Sequence, residues 1–170
     1  EGGFGDDTMR GDLHNDLFHI GAIVRQIDAY TLAPVDFGRD IIDGGAGIDT
    51  LVIDGPSFFV EDEESAGSFL GDDFGAPSVR ANLGSGTLRI GDSDNRSTLI
   101  SIENIETGTG DDSINGSTAD NFIRPGDGAN VVYAGAGNDT IIGGSRPFPT
   151  GDGGVVGFEV HFLDLLRIPG

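Results

Sequence analysis

The stretch TGTGDDSINGSTADNFIRPGDGANVVYAGAGNDTII, Thr107 to Ile142, decides the fold. Cut every nine residues, it gives TGTGDDSIN (107–115), GSTADNFIR (116–124), PGDGANVVY (125–133) and AGAGNDTII (134–142). Position four reads Gly110, Ala119, Gly128 and Gly137. Position six reads Asp112, Asn121, Asn130 and Asp139, and position eight reads Ile114, Ile123, Val132 and Ile141. A fixed short period marks an architecture in which each unit packs only on its neighbours.

The same template fits upstream in two tandem pairs. GGFGDDTMR (2–10) and GDLHNDLFH (11–19) form the first; VDFGRDIID (35–43) and GGAGIDTLV (44–52) form the second. Glycines at positions one, two and four permit a tight turn with positive φ. Residues seven to nine are short and β-prone, with the position-eight side chain inward. Three residues make a strand too short to stand alone. Stacked on like units at about 4.8 Å, such strands form parallel sheets. Two units complete one coil, so residues eighteen apart stack. The expectation is an all-β solenoid.

Stacking also explains the acid at position six. Carboxylates from successive turns would face each other and repel. A hard divalent cation between them converts repulsion into cross-linking. Ca²⁺ suits this best, because it accepts six to eight oxygen ligands in flexible geometry, mixing carboxylates with backbone carbonyls. Mg²⁺ prefers strict octahedral geometry and keeps its waters.

The blocks GGFGDDTMR, GGAGIDTLV and AGAGNDTII resemble the RTX, or haemolysin-type, calcium-binding nonapeptide G-G-x-G-x-D-x-U-x. That resemblance implies a right-handed parallel β-roll with Ca²⁺ between stacked turns. It also implies the ligands: carbonyls at positions one, two and four and the position-six side chain. In the quartet, one site would join Gly108, Gly110 and Asp112 to Pro125, Gly126 and Asn130. A second would join Ser117, Ala119 and Asn121 to Ala134, Gly135 and Asp139, with Gly128 and Gly137 at position four of the outer turns. Upstream candidates are Gly2, Gly3, Gly5, Asp7 and Asp16, then Gly38, Asp40, Gly44, Gly45, Gly47 and Asp49; the insertion at 20–34 leaves their pairing open. Asn at position six offers an oxygen without charge, so those sites are expected to be weaker.

The runs GGAGIDTLVIDG, SVRANLGSGTL and LISIENIETGTGDDSI further resemble the region leading into the repeats of serralysin-type secreted proteases. The resemblance implies Glu103 and Ser101 as additional calcium ligands; a solvated turn acid is the plainer reading of Glu103. It also implies a secreted, type I exported bacterial protein; from its charge and metal linkage, the acidic chain is expected to stay unfolded in calcium-poor cytosol and to fold outside on calcium. A serralysin-like protease, another secreted hydrolase or an adhesin are the alternative parents.

The charge agrees with a cation partner. Asp and Glu number 29 against nine Lys plus Arg, for a net charge of −20, and all nine basic residues are arginine. Such self-repulsion opposes a compact state. Without a basic patch, nucleic acid and anionic membrane surfaces are unsuitable partners. No apolar run approaches the ~18 residues of a membrane helix. There are no cysteines, which excludes disulfides and thiolate metal sites.

The intervening segments are less regular. In 20–34, Ile20, Ile23, Val24 and Ile27 have helical spacing and Pro34 follows, so a short helix or a bulge is expected there. Residues 53–106 read as further coils of the solenoid, with an acidic loop at 54–78 holding EDEE (61–64) and Asp72-Asp73. Val79, Ala81 and Leu83 share a face, Leu88 and Ile90 sit in a short strand, and Ile100, Ile102 and Asn104 are expected inward. The quartet block spans 107–144, and 145–170 is a breaker-rich linker with a terminal strand around Val156, Phe158, Val160 and Phe162. The whole reads as one continuous domain of a longer protein that could carry a catalytic or adhesive domain elsewhere. No H-E-x-x-H, Gly-x-Ser-x-Gly or phosphate loop occurs, so no catalytic site is expected in this chain. His14, His19 and His161 read as tolerated substitutions.

Overall fold

Position eight sets the direction in which the strands face. Ile42, Leu51, Ile114, Ile123 and Val132 are fully buried, Met9 and Phe18 nearly so, and Ile141 packs against them at the edge. In the computed structural model, Gly2 and residues 5–28, 31–32, 38–59, 77–91, 94–144 and 159–161 are described. Among these the secondary structure is all strand, with no helix.

Two sheets carry the chain. The first holds β1 (Thr8–Arg10), β4 (Ile41–Asp43), β6 (Val79–Asn82), β7 (Thr87–Ile90), β8 (Ser97–Ile100), β10 (Ser113–Ser117), β12 (Val131–Gly135) and β14 (Glu159–His161), in the order β1-β4-β8-β7-β6-β10-β12-β14. The second holds β2 (Leu17–Asp28), β3 (Thr31–Leu32), β5 (Thr50–Phe59), β9 (Asn104–Glu106), β11 (Phe122–Gly126) and β13 (Thr140–Gly143), in the order β13-β11-β9-β5-β2-β3. Side chains of both sheets meet in one apolar core cluster.

Register follows the repeat. Ile114 pairs in parallel with Val132, and Ile123 with both Ile141 and Ile105, each eighteen residues away. Upstream the step is 33: Met9 pairs with Ile42 and Phe18 with Leu51. That step is the eighteen of two units plus the fifteen residues of 20–34, so the insertion leaves the phase intact. Leu51 then pairs with Ile105 at a step of 54, a multiple of eighteen although the two strands are immediate neighbours.

Glycine is demanded where turns stack too closely for a side chain. A Cβ on Gly126 would overlap the Gly108 carbonyl, and one on Gly128 the Gly110 carbonyl. Both also have positive φ, at 68° and 133°, where other residues are strained.

Three expectations need correction. Residues 20–28 are not helical: β2 continues to Asp28, parallel to β5, with an irregularity between Gly21 and Ile23. Ile20, Ile23, Val24 and Ile27 are β-branched, and the adjacent β5 offers the first three a ladder that an isolated short helix lacks. The remainder of 20–34 beyond Thr31–Leu32, with Pro34, lies outside the described residues. Likewise 54–59 belongs to β5, while 60–76, with EDEE and Asp72-Asp73, lies outside them, as do Val156, Phe158 and Phe162.

Second, 79–100 is not a run of further coils. β6, β7 and β8 form an antiparallel meander within the otherwise parallel first sheet. Local turn chemistry explains it. Asn82 Oδ1 accepts the Ser85 N–H at 2.7 Å, and Gly86 has φ 69°, which closes a four-residue hairpin.

Third, Ile100 points outward at 43% exposure, while Leu99 and Ile105 are buried with Ile102. Alternation within β8 turns Ile100 outward, and Ser101, at φ 49°, shifts the phase so that Ile102 turns inward. That residue ends β8 and resets the alternation before β9.

This assigns different costs to two isoleucines. Ile105→Ala should lower stability by about 2–5 kcal/mol, the cost of a core truncation. Ile100→Ala should cost under about 0.5 kcal/mol. Urea midpoints in calcium check this; equal losses would contradict the orientation given.

Candidate metal centre

The turns between strands are joined by two ladders of side-chain acceptors. In the first, position-six groups accept the backbone N–H of position six one turn earlier. Asp40 Oδ1 takes the Asp7 N–H at 3.0 Å, Asp49 Oδ1 the Asp16 N–H at 2.7 Å, Asn130 Oδ1 the Asp112 N–H at 2.9 Å and Asp139 Oδ1 the Asn121 N–H at 2.9 Å. Each is a charge-assisted or amide hydrogen bond that fixes register across the stack.

The second ladder runs the other way. Position-five groups accept the position-five N–H one turn later: Asp6 from Arg39, Asn15 from Ile48, Asp111 from Ala129 and Asp120 from Asn138, at 2.7–2.9 Å. Sequence reasoning missed these residues. The signal was present, since position five carries Asp or Asn in Asp6, Asn15, Asp111, Asp120 and Asn138.

Most expected partners are brought together. Asp7 stacks on Asp40 and Asp16 on Asp49, which settles the pairing that the insertion left open. The Gly5 carbonyl abuts Gly38, and the Gly108 and Gly110 carbonyls abut Gly126 and Gly128. The Ser117 and Ala119 carbonyls abut Gly135 and Gly137, and the Ala134 carbonyl abuts Gly116. Gly2 is bridged to Ile20 and lies near Asp7 Oδ2 of its own repeat, and Gly3 lies outside the described residues.

Ser101 and Glu103 join the same stack by a different route. β8 follows β4 at a step of 57 and β9 follows β5 at 54. The turn at 101–103 is therefore three residues shorter than Gly44–Asp49, on which it stacks. The longer Glu side chain spans the shortfall, and its Oε2 accepts the Asp49 N–H at 2.9 Å. Ser101 contributes its carbonyl rather than its exposed side chain. Both line an open cleft with Leu83, Gly84, Gly116 and Ser117.

The fit to a cation is sharpest at Gly44. A Cβ there would overlap both the Ser101 carbonyl oxygen and Asp49 Oδ2. Asp49 is fully buried, and its Oδ2 has no hydrogen-bond partner; the same holds for Oδ2 of Asp40, which is 2% exposed. A carbonyl and a carboxylate oxygen thus face one point, and the carboxylate oxygen has no proton donor. Leaving such a group unpaired costs about 1–3 kcal/mol or more. A hard cation satisfies both oxygens. Among the described residues no three His, Asp or Glu side chains cluster, so backbone carbonyls would supply most ligands, as Ca²⁺ accepts.

The metal-free electrostatics lean against a compact state at neutral pH. Burial pushes the Asp112 carboxyl up to about 6, although the Thr107 hydroxyl and Val79 N–H bonds pull it down. Burial likewise raises Asp40, with repulsion from Asp7 and Asp6 adding to it, although the Asp7 N–H and the Ser97 hydroxyl pull it down. A carboxyl raised on folding holds its proton better in the folded state. Its contribution is fully present below the ordinary value of 3.8 and is lost as pH rises through about 6. For Asp112 this amounts to at most about 3 kcal/mol. The chain in EDTA should therefore gain stability from pH 7.5 to pH 4.5, and Asp112→Asn should flatten that dependence. A urea midpoint that falls over the same range would contradict it.

Comparison with known proteins closes on the same turns. The profile of the RTX calcium-binding nonapeptide repeat matches four times, at residues 1–22, 36–51, 101–132 and 116–145. No curated protein matches the chain. RTX nonapeptides bind Ca²⁺ and are structural rather than catalytic repeats. With its repeat phase, its stacked acids and these four matches, the chain belongs to the RTX calcium-binding nonapeptide-repeat family.

Proposed function

We propose that this chain is a Ca²⁺-binding β-roll module of a secreted bacterial protein, and that it completes its fold on the ion. The observation that carries the reading is the convergence of Asp49 Oδ2, which is buried without a donor, and the Ser101 carbonyl on the space left by Gly44. Bound Ca²⁺ would supply positive charge and six to eight coordination positions. The chain would supply carbonyls at positions one, two and four and the position-six side chains.

The repeat segments would then wind as a right-handed parallel roll, one turn and one short strand per nonapeptide. Parallel pairing at eighteen residues in the quartet supports this path. The N-terminal pairs, the 53–106 segment and the quartet would act as one continuous module. Ser101 and Glu103 would extend the ligand set from the N-terminal turns towards the quartet.

Function follows from linkage. A site that exists only in the folded chain turns binding energy into folding energy. Stacked carboxylates about 5 Å apart repel by about 3 kcal/mol per pair at an effective dielectric of about 20. That is a large share of the 5–15 kcal/mol that holds a typical domain together. In calcium-poor cytosol these residues would keep the chain open. Outside, at about millimolar calcium, within the affinity range of extracellular calcium modules, they would close it. RTX repeats occur in proteins exported by type I systems, which supports the secreted setting.

Circular dichroism of the purified chain tests the reading. The β signal should rise when EDTA is replaced by CaCl₂, reverse on chelation, and respond far less to MgCl₂. Identical spectra in EDTA and CaCl₂ would sink it.

A further inference from the structure

We infer that the calcium requirement is divided within the chain: the Asp40 and Asp49 turns need the cation to close, whereas the turns of Asp112, Asn121 and Asn130 are closed by the chain's own donors. The inference rests on the calcium-binding reading above and locates where the ion is indispensable.

Five position-six side chains are buried: Asp40, Asp49, Asp112, Asn121 and Asn130. In Asp40 and Asp49, one oxygen accepts the N–H of the preceding turn and the other, Oδ2, has no partner. In Asn130 the corresponding atom is Nδ2, which donates to the Gly126 carbonyl at 3.1 Å. The amide hydrogen stands where the Asp turns have two oxygens and no proton. Asn121 is saturated too. Its Oδ1 accepts the Ser117 N–H at 2.7 Å, and its Nδ2 donates to the Glu103 carbonyl at 2.7 Å.

Asp112 is the informative exception, since it is an acid within the quartet. Its Oδ2 takes the Thr107 hydroxyl at 2.6 Å, and that hydroxyl also lies 3.0 Å from the Pro125 carbonyl. Thr107 thus places an O–H between a carboxylate and a carbonyl expected to share an ion. Thr107 is itself buried, so the hydroxyl is held there.

The order of residues along each stack gives a second, independent contrast. Upstream, acid stacks on acid: Asp7 on Asp40, Asp16 on Asp49, and Asp49 on Glu103. In the quartet every stacked pair joins one acid to one amide, Asp112 with Asn130 and Asn121 with Asp139. Adjacent like charges that need a counter-ion are therefore absent from the quartet pairs. Glu103 is the seam. Its side chain accepts from Asp49, and its carbonyl accepts from Asn121. A quartet shaped without metal would present that residue to the N-terminal turns as they close on calcium.

Hydrogen–deuterium exchange with mass spectrometry on the full chain separates the two halves. In EDTA, amides of 107–133 should exchange slowly while those of 40–50 exchange fast. With calcium at about 100 times its Kd, 40–50 should slow by roughly 100-fold and 107–133 should change little. Asn130→Asp should make protection of 125–133 calcium-dependent, and Asp49→Asn should protect 44–50 in EDTA. Equal calcium dependence of both segments in the wild-type chain overturns the division while leaving calcium binding intact. Absence of any calcium effect on either segment overturns the calcium reading itself.

Discussion

The repeat turns of this chain depend on one constraint: they stack at the spacing of adjacent strands. At that distance a backbone carbonyl of one turn lies against the Cα of the next. Gly44, Gly126 and Gly128 have no room for a Cβ. The same closeness lets one short side chain per turn reach the N–H of its neighbour, and Asp and Asn are the residues of that length. The position-six and position-five ladders run in opposite directions. Together they clamp each turn from both sides. Apolar burial between the sheets supplies cohesion, but the turns set the phase in which Ile42, Leu51, Ile114, Ile123 and Val132 all point inward.

The constraint also creates the chain's problem. Carboxylates that reach a neighbouring N–H with one oxygen bring the other into the interior. With a net charge of −20, the chain has few cations of its own to answer them. Two answers are visible. Thr107 supplies a hydroxyl to Asp112. Asn130 replaces an oxygen by an amide donor to Gly126. Asp49 has neither; Asp40 has the Ser97 hydroxyl beside its carboxyl, and the second oxygen of each is buried without a partner. The repeat family binds calcium, and we place the greatest need for an ion at these two residues.

Much of this was legible in the residues. The nine-residue phase gave the inward position eight and the eighteen-residue step between Ile114 and Val132. It also gave position six as the stacked acid. What was missed depended on context. Ile20, Ile23, Val24 and Ile27 have a spacing that suits a helix, and only the presence of β5 alongside makes them a strand. The hairpin at 82–87 obeys its own Asn and glycine chemistry, and it displaces the repeat there. Position five escaped notice because the family pattern leaves it variable, although Asp6, Asn15, Asp111 and Asp120 share it. The role of Thr107 could not be read from sequence at all, since it depends on Pro125 arriving eighteen residues later.

Glu103 shows how phase and chemistry interlock. The turn before it is three residues short, made possible by Ser101 at φ 49°. One extra methylene lets Glu do at 103 what Asp does at 49. The most direct test of the account is a crystal structure of the chain grown in CaCl₂. An ion bound between Asp49 Oδ2 and the Ser101 carbonyl, at about 2.3–2.6 Å from each, is the predicted result. Asp49 Oδ2 satisfied instead by a protein N–H or a water, with no ion beside it, would contradict the central claim.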